Sequence, residues 1–71
     1  MFGKELRNAR LQAHLTQEAL AFKADLHPTY ISMLENDKKS PTLEVFFRLC
    51  RALKIQPHVL IRRIEEAMEN I

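Results

Sequence analysis

Thr16-Gln17-Glu18-Ala19-Leu20-Ala21 and Tyr30-Ile31-Ser32-Met33-Leu34-Glu35-Asn36 decide the fold of this chain. They read as two short helices joined by a tight turn. On a helical wheel, residues 29 to 36 divide into two faces. Ile31, Leu34 and Glu35 fall on one side. Thr29, Ser32, Met33 and Asn36 fall on the other, with Tyr30 on its flank. The second face is short, uncharged and able to both donate and accept hydrogen bonds. Such a face suits base edges in the DNA major groove, whose width accepts one helix.

Working outward, the sequence predicts five helices and no sheet, because there is one glycine and no extended period-two alternation. Helix 1 is expected over about Phe2 to Ala13, with Phe2, Leu6, Ala9 and Ala13 on one face. Helix 2 starts after Thr16, whose hydroxyl suits an N-cap, and Glu18 in the first turn complements the helix dipole. Leu20, Ala21 and Ala24 form its inner face, and Asp25-Leu26 makes the turn. Helix 3 starts near His27-Pro28, since proline is favoured at the first helical position. Asp37-Lys38-Lys39-Ser40 is a polar loop. Ser40-Pro41-Thr42 opens helix 4, with Leu43, Phe46, Phe47, Leu49, Cys50 and Leu53 apolar, and Gln56-Pro57 opens helix 5.

Seventy-one residues make one domain at most, read here as a single unit over 1–71. A chain of this size buries only about 60% of its unfolded surface, so a second subunit would add stability by mass action. The single cysteine, Cys50, excludes an internal disulfide and fits a reducing cytoplasm. Residues 2 to 10 lack the apolar stretch of a signal peptide, and no run approaches a membrane span. Net charge is +2, with nine basic against six acidic residues over 1–54 and two against three over 55–71. Any positive surface is therefore local, and it belongs to the part that holds the helix pair.

At this level of detail the chain resembles the Cro/repressor-type helix-turn-helix family, also called the XRE family. The residues that carry the resemblance are Arg7 and Arg10, Leu15-Thr16-Gln17-Glu18, Leu20-Ala21, Ile31-Ser32, Glu35, Pro41-Thr42-Leu43, Leu53, Ile55 and Leu60. They cover roughly residues 2 to 61. Leu26-His27-Pro28-Thr29-Tyr30-Ile31-Ser32 further resembles the controller proteins of restriction–modification systems. The resemblance implies an all-α, lambda-repressor-like, compact five-helix bundle with the helix-turn-helix at helices 2 and 3. Three positions depart from the family pattern. Asp25 stands where the family has glycine, and aspartate tolerates the left-handed conformation better than most residues. His27 replaces a frequent capping serine, and Phe22 occupies a normally polar, exposed site.

The expected base contacts are Pro28, Thr29, Ser32 and Met33. None is Arg, Asn or Gln, so strong bidentate readout of G or A is not offered by them. Specificity then leans on Asn36, water, DNA shape or a residue elsewhere. The expected backbone contacts are Thr16, Gln17, Tyr30, Asn36, Lys38 and Lys39. For Gln17 this role is implied by the resemblance, beside helix 2's free amides. Tyr30 has two open roles, a phosphate contact or packing against helix 4. Lys38 and Lys39 either clamp a phosphate or are simply solvated.

Glu35 lies on the inner face, where an unpaired carboxylate would be costly. The resemblance implies a partly buried ion pair with Arg10. Cys50 is expected in the core. His14, His27 and His58 lack metal-ligand spacing, and neither a metal nor a cofactor is expected.

Ile61, Ile64, Met68 and Ile71 recur at helical spacing in the tail. Either helix 5 folds back on its own core or, with Phe47, it builds a symmetric homodimer. The dimer would set two recognition helices about 34 Å apart, one DNA turn, on a roughly palindromic site. The function implied is a cytoplasmic, sequence-specific transcriptional regulator of double-stranded DNA, of the restriction–modification controller or phage repressor kind. The alternative is an antitoxin-like protein-interaction module whose Phe22 or tail apolars cover an unknown partner. An enzyme is not expected, because there is no Gly-rich phosphate loop and no assignable set of nucleophile, base and orienting acid.

Overall fold

The computed structural model describes residues 1–69. Ile71, one of the residues expected at a dimer surface, lies outside the described residues. Five helices follow in order: α1 (Phe2–Gln12), α2 (Gln17–Ala24), α3 (Pro28–Glu35), α4 (Leu43–Leu53) and α5 (Pro57–Glu69). No strand occurs among the described residues.

Local chemistry sets the helix starts. Thr16 Oγ1 accepts from the Ala19 amide at 3.0 Å, and Thr42 Oγ1 accepts from the Val45 amide at 3.1 Å. Both satisfy a first-turn donor that the helix itself leaves free. His27 caps α3 where a serine is more usual: its Nδ1 accepts from the Thr29 amide at 3.1 Å. That bond requires Nδ1 to be the unprotonated ring nitrogen. Pro28 follows in the first turn.

The helix ends share one device. Leu15, Leu26, Lys38 and Ile55 donate their amides to the carbonyls of Arg10, Ala21, Met33 and Cys50, closing Schellman-type ends on α1 to α4. The residue before each donor is left-handed: His14 (φ 58°), Asp25 (φ 56°), Asp37 (φ 55°) and Lys54 (φ 56°). Asp25 therefore adopts the conformation expected of it. Helix α1 stops at Gln12, one residue short of the expected Ala13, because Ala13 serves as its C-cap just before His14 turns left-handed.

The core joins all five helices. Leu6 of α1, Leu20 of α2, Ile31 and Leu34 of α3, Leu49 of α4 and Leu60 of α5 are fully buried, with Ala9, Ala21, Ala24, Phe46, Cys50 and Leu53 around them. Helix α3 packs on α1 and α2, α4 packs on α2, and α5 packs on α1 and α4. The small residues Ala21 and Ala24 let α2 approach closely. Phe2 extends the core at one end, its ring 6.2 Å from that of Phe46.

The chain's single glycine has a specific task. A Cβ at Gly3 would lie 2.3 Å from the Glu35 carbonyl oxygen and 2.7 Å from that of Leu34. Helix α1 thus touches the end of α3 backbone to backbone. Asp37, just past α3, completes the contact by capping α1 from 34 residues away: its Oδ1 accepts from the Gly3 amide at 2.9 Å. The Met1 amino group donates to Oδ2 at 2.9 Å. This ammonium, followed by the Gly3 amide, holds the Asp37 carboxyl below its ordinary value of 3.8. The stabilisation is present above that ordinary value and is lost as pH falls through the lower folded value. Because the side chain is half exposed, solvent screening keeps the effect small.

Two substitutions test this architecture. Gly3→Ala must push α1 off α3, and is expected to cost about 1–3 kcal/mol, the scale for overpacking. An unchanged denaturation midpoint would contradict the close approach. Lys54→Gly relieves about 1 kcal/mol of left-handed strain, partly offset by glycine's greater unfolded-state freedom. A small rise in Tm is expected, and a fall would contradict the assigned strain.

Candidate nucleic-acid interface

The outer side of α3 faces away from the core. Ile31 and Leu34 are fully buried beneath it. Thr29 is exposed, and Ser32 and Met33 are half-buried on the outer side. Pro28 and Tyr30 are also half-buried, and Tyr30 packs partly against the core. Asn36, Lys38 and Lys39 are exposed just beyond the helix end. The structure thus brings the expected base-contact residues onto one short helix whose other side is fixed.

What fixes it is a charged lock beneath α3. Arg10 Nε donates to Glu35 Oε2 at 2.6 Å and Arg10 Nη2 donates to Glu35 Oε1 at 3.1 Å, a two-point fork. Arg10 Nη1 donates to the Leu15 carbonyl at 2.9 Å. Gln17 Nε2 donates to Glu35 Oε1 at 3.1 Å. The side chain of Glu35 is 3% exposed and that of Arg10 10%. The Glu35 carboxylate therefore ties α1 and the start of α2 to the end of α3, and Arg10 adds the turn before α2. The resemblance assigned Gln17 to the DNA backbone, but here it spends a donor inside the lock. The first turn of α2 remains at the surface beside it, with Thr16 exposed.

A second tie holds the turn between α2 and α3. Arg48 of α4 donates through Nε to the Ala24 carbonyl at 3.1 Å and through Nη2 to the Asp25 carbonyl. These oxygens lie at the end of α2, where carbonyls lack helical partners and a cation meets the negative end of the dipole. The Asp25 and Glu44 carboxylates stand 3.8 Å from the same guanidinium. Nothing in local periodicity marks Arg48 for this role. Its one sequence signal is a cation on α4 beside the apolar positions that face α2.

The residues expected at a dimer surface sit away from α3. Phe47 is 46% exposed on α4, and Ile61 and Met68 are 50% and 55% exposed on α5. Ile64 is partly buried against the core, so it serves the fold as well as the surface. Ile61, Ile64 and Met68 line one shallow groove with Glu65 and Glu69. Phe22 is 87% exposed on α2. Cys50 is buried, and burial pushes its thiol up to about 11, which keeps it protonated and unreactive. Among the described residues no group of three His, Cys, Asp or Glu side chains is placed to hold a metal ion. No helix among the described residues is long and apolar enough to cross a membrane.

Known proteins share this fold. The family model HTH_3, described as Helix-turn-helix, matches residues 6–60. Control protein C.BamHI of Bacillus amyloliquefaciens is 39% identical over 62 residues, spanning 86% of this chain and 76% of that protein. The crystal structure of the restriction–modification controller protein C.AhdI from Aeromonas hydrophila superposes with a TM-score of 0.80 at 36% identity, covering 83% of this chain and 89% of that one. The clp gene regulator ClgR from C. glutamicum superposes with a TM-score of 0.89 at 27% identity, covering 94% and 87%.

Glu35→Ala would leave the Arg10 guanidinium buried without its carboxylate. The expected cost is about 3 kcal/mol, the scale for breaking a buried pair from one side. In a domain of this size that lowers Tm by more than about 10 °C. A melting shift near zero would show that the lock does not hold the fold.

Proposed function

The chain belongs to the helix-turn-helix family, and on that premise we propose that it works as a restriction–modification controller, regulating transcription as a homodimer on a roughly palindromic operator. The observation that carries this reading is the outer side of α3. Thr29, Ser32 and Met33 present an uncharged face, over a core side locked by Arg10 and Glu35. Placed in a major groove, the hydroxyls bond base edges and the thioether touches a thymine methyl. Pro28 lies at the entry of the same helix. Thr16, Gln17, Tyr30, Lys38 and Lys39 flank it and take the phosphates, which set register but carry no sequence information. C.BamHI and C.AhdI, named as controller proteins, support the restriction–modification assignment.

Residues 1–71 act as one DNA-binding unit in the cytoplasm, by binding alone. Its α5 supplies the dimer surface through Ile61, Ile64 and Met68, with Phe47 from α4. The support is physical. A continuous apolar stripe on a surface helix gains by burial, and Phe47, Ile61 and Met68 stay exposed in the single chain. Twofold pairing presents two copies of α3 to adjacent turns of one face of DNA.

Selection from random duplexes is expected to recover an inverted repeat with half-sites about 10 bp apart. The double variant Thr29→Ala with Ser32→Ala is expected to lose most discrimination while keeping salt-dependent attraction to any duplex. Equal binding of the unaltered protein to all sequences would refute the reading. Sedimentation tests the dimer: Ile61→Asp with Met68→Asp is expected to yield monomers with weakened operator affinity. An unchanged dimer would move the interface elsewhere.

A further inference from the structure

Just past α3, a side chain reaches back to the outer face. Asn36 Nδ2 donates to the Ser32 carbonyl oxygen at 2.8 Å and lies 3.4 Å from Ser32 Oγ. A carbonyl only accepts, so the NH2 side of the amide faces Ser32 and Oδ1 faces away. Ser32 Oγ thereby receives an amide hydrogen on one lone pair. A helical serine commonly returns its own hydrogen to the carbonyl one turn back. Ser32 makes no such bond among the described residues, where its only hydroxyl contact is the one received from Asn36. Its hydrogen is left for the outer face.

We propose that Asn36 is a positioning residue for base selection, holding the Ser32 hydroxyl as a hydrogen-bond donor toward DNA. The pair then favours an acceptor on the major-groove edge (a purine N7, guanine O6 or thymine O4) over an exocyclic amino group. This inference rests on the reading of α3 as the base-reading helix. It also revises the part expected of Asn36 from sequence. With Nδ2 turned onto Ser32, the amide shows its acceptor oxygen outward, a poor partner for a phosphate, which also only accepts. Serine alone is ambiguous, since its hydroxyl donates or accepts as its surroundings ask. Asn36 removes that ambiguity, in a face that holds no Arg, Asn or Gln among its groove positions.

The test is a cycle of four proteins: unaltered, Asn36→Ala, Ser32→Ala and the double variant. Each is titrated with the selected operator and with duplexes altered one base pair at a time, at two salt concentrations. Ser32→Ala is expected to flatten preference at one base pair by roughly threefold to tenfold, the scale of one hydrogen bond. Asn36→Ala should flatten the same pair, and the double variant should add nothing further. The salt slope should stay constant. A uniform loss of affinity with a reduced salt slope would make Asn36 a phosphate contact and overturn the proposal. Additive effects, or loss of preference at a different base pair, would overturn it too.

Asn36 is exposed, and thermal melts verify that each variant folds. Asn36→Asp gives a second route: its carboxylate only accepts, so the Ser32 carbonyl repels it and the tie to Ser32 is lost. Preference at that base pair is expected to flatten as in Asn36→Ala, and an unchanged preference would overturn the proposal. Failure of the parent reading looks different. The unaltered protein would then show no base preference, or one that Thr29→Ala and Ser32→Ala both leave intact, and the inference would fall with it.

Discussion

The buried fork between Arg10 and Glu35 is the constraint on which the rest of the structure depends. Taking two charges out of water is expensive, and their attraction offsets this only when the geometry is good and the remaining polar atoms find partners. Both conditions hold here. Glu35 accepts from two guanidinium nitrogens and from Gln17, and Arg10 also reaches the Leu15 carbonyl. Among the described residues no buried side-chain nitrogen or oxygen lacks a partner. Apolar side chains of similar volume could match the stability of such a pair, but they would not fix its direction. The fork sets the angle of α3 against α1 and α2. Gly3 then allows the backbones to meet, and Asp37 fastens the same junction from its other side.

If α3 reads bases as proposed, a rigid support matters more because its outer face is weak. Thr29, Ser32 and Met33 offer single hydrogen bonds and a soft apolar contact rather than a bidentate clamp. Net charge of +2 adds little general attraction. On the proposed reading, affinity and discrimination accumulate from placement, from the lysines beyond α3 and from use of two copies at once. Every tie around α3 serves placement. The Arg10–Glu35 fork holds its inner side, His27 caps its start, and Arg48 grips the turn before it. Four left-handed residues without a glycine among them trade some stability for polar side chains at the helix ends.

Much of this was legible in the sequence wherever the cause is local. The five helices follow from periodicity, and their starts from Thr16, Thr42 and Pro28. The inner side of α3 follows from the spacing of Ile31, Leu34 and Glu35. The left-handed turn at Asp25 came from family resemblance. What the sequence hid is long-range. Asp37 read as a loop residue because its partner is Gly3, 34 residues away. Arg48 drew no reading from sequence because its partners are the backbone carbonyls of Ala24 and Asp25, which leave no mark on sequence pattern. The second role of Gln17 was hidden because nothing nearby in sequence shows that its side-chain amide also donates to Glu35. Left-handed ends at His14, Asp37 and Lys54 were missed because the usual glycine signal is absent. The stripe of Ile61, Ile64 and Met68 was visible, but sequence alone could not divide it. The structure turns Ile64 partly inward and leaves Ile61 and Met68 open.

The central claim is that the outer side of α3 meets the bases, and an amide chemical-shift titration of the full chain with its selected operator tests it most directly. The account predicts that the largest changes fall at Thr29, Ser32 and Met33, with a second group at Thr16 and Gln17 in the first turn of α2. Changes concentrated instead around Phe22 or along α5, with α3 undisturbed, would contradict it.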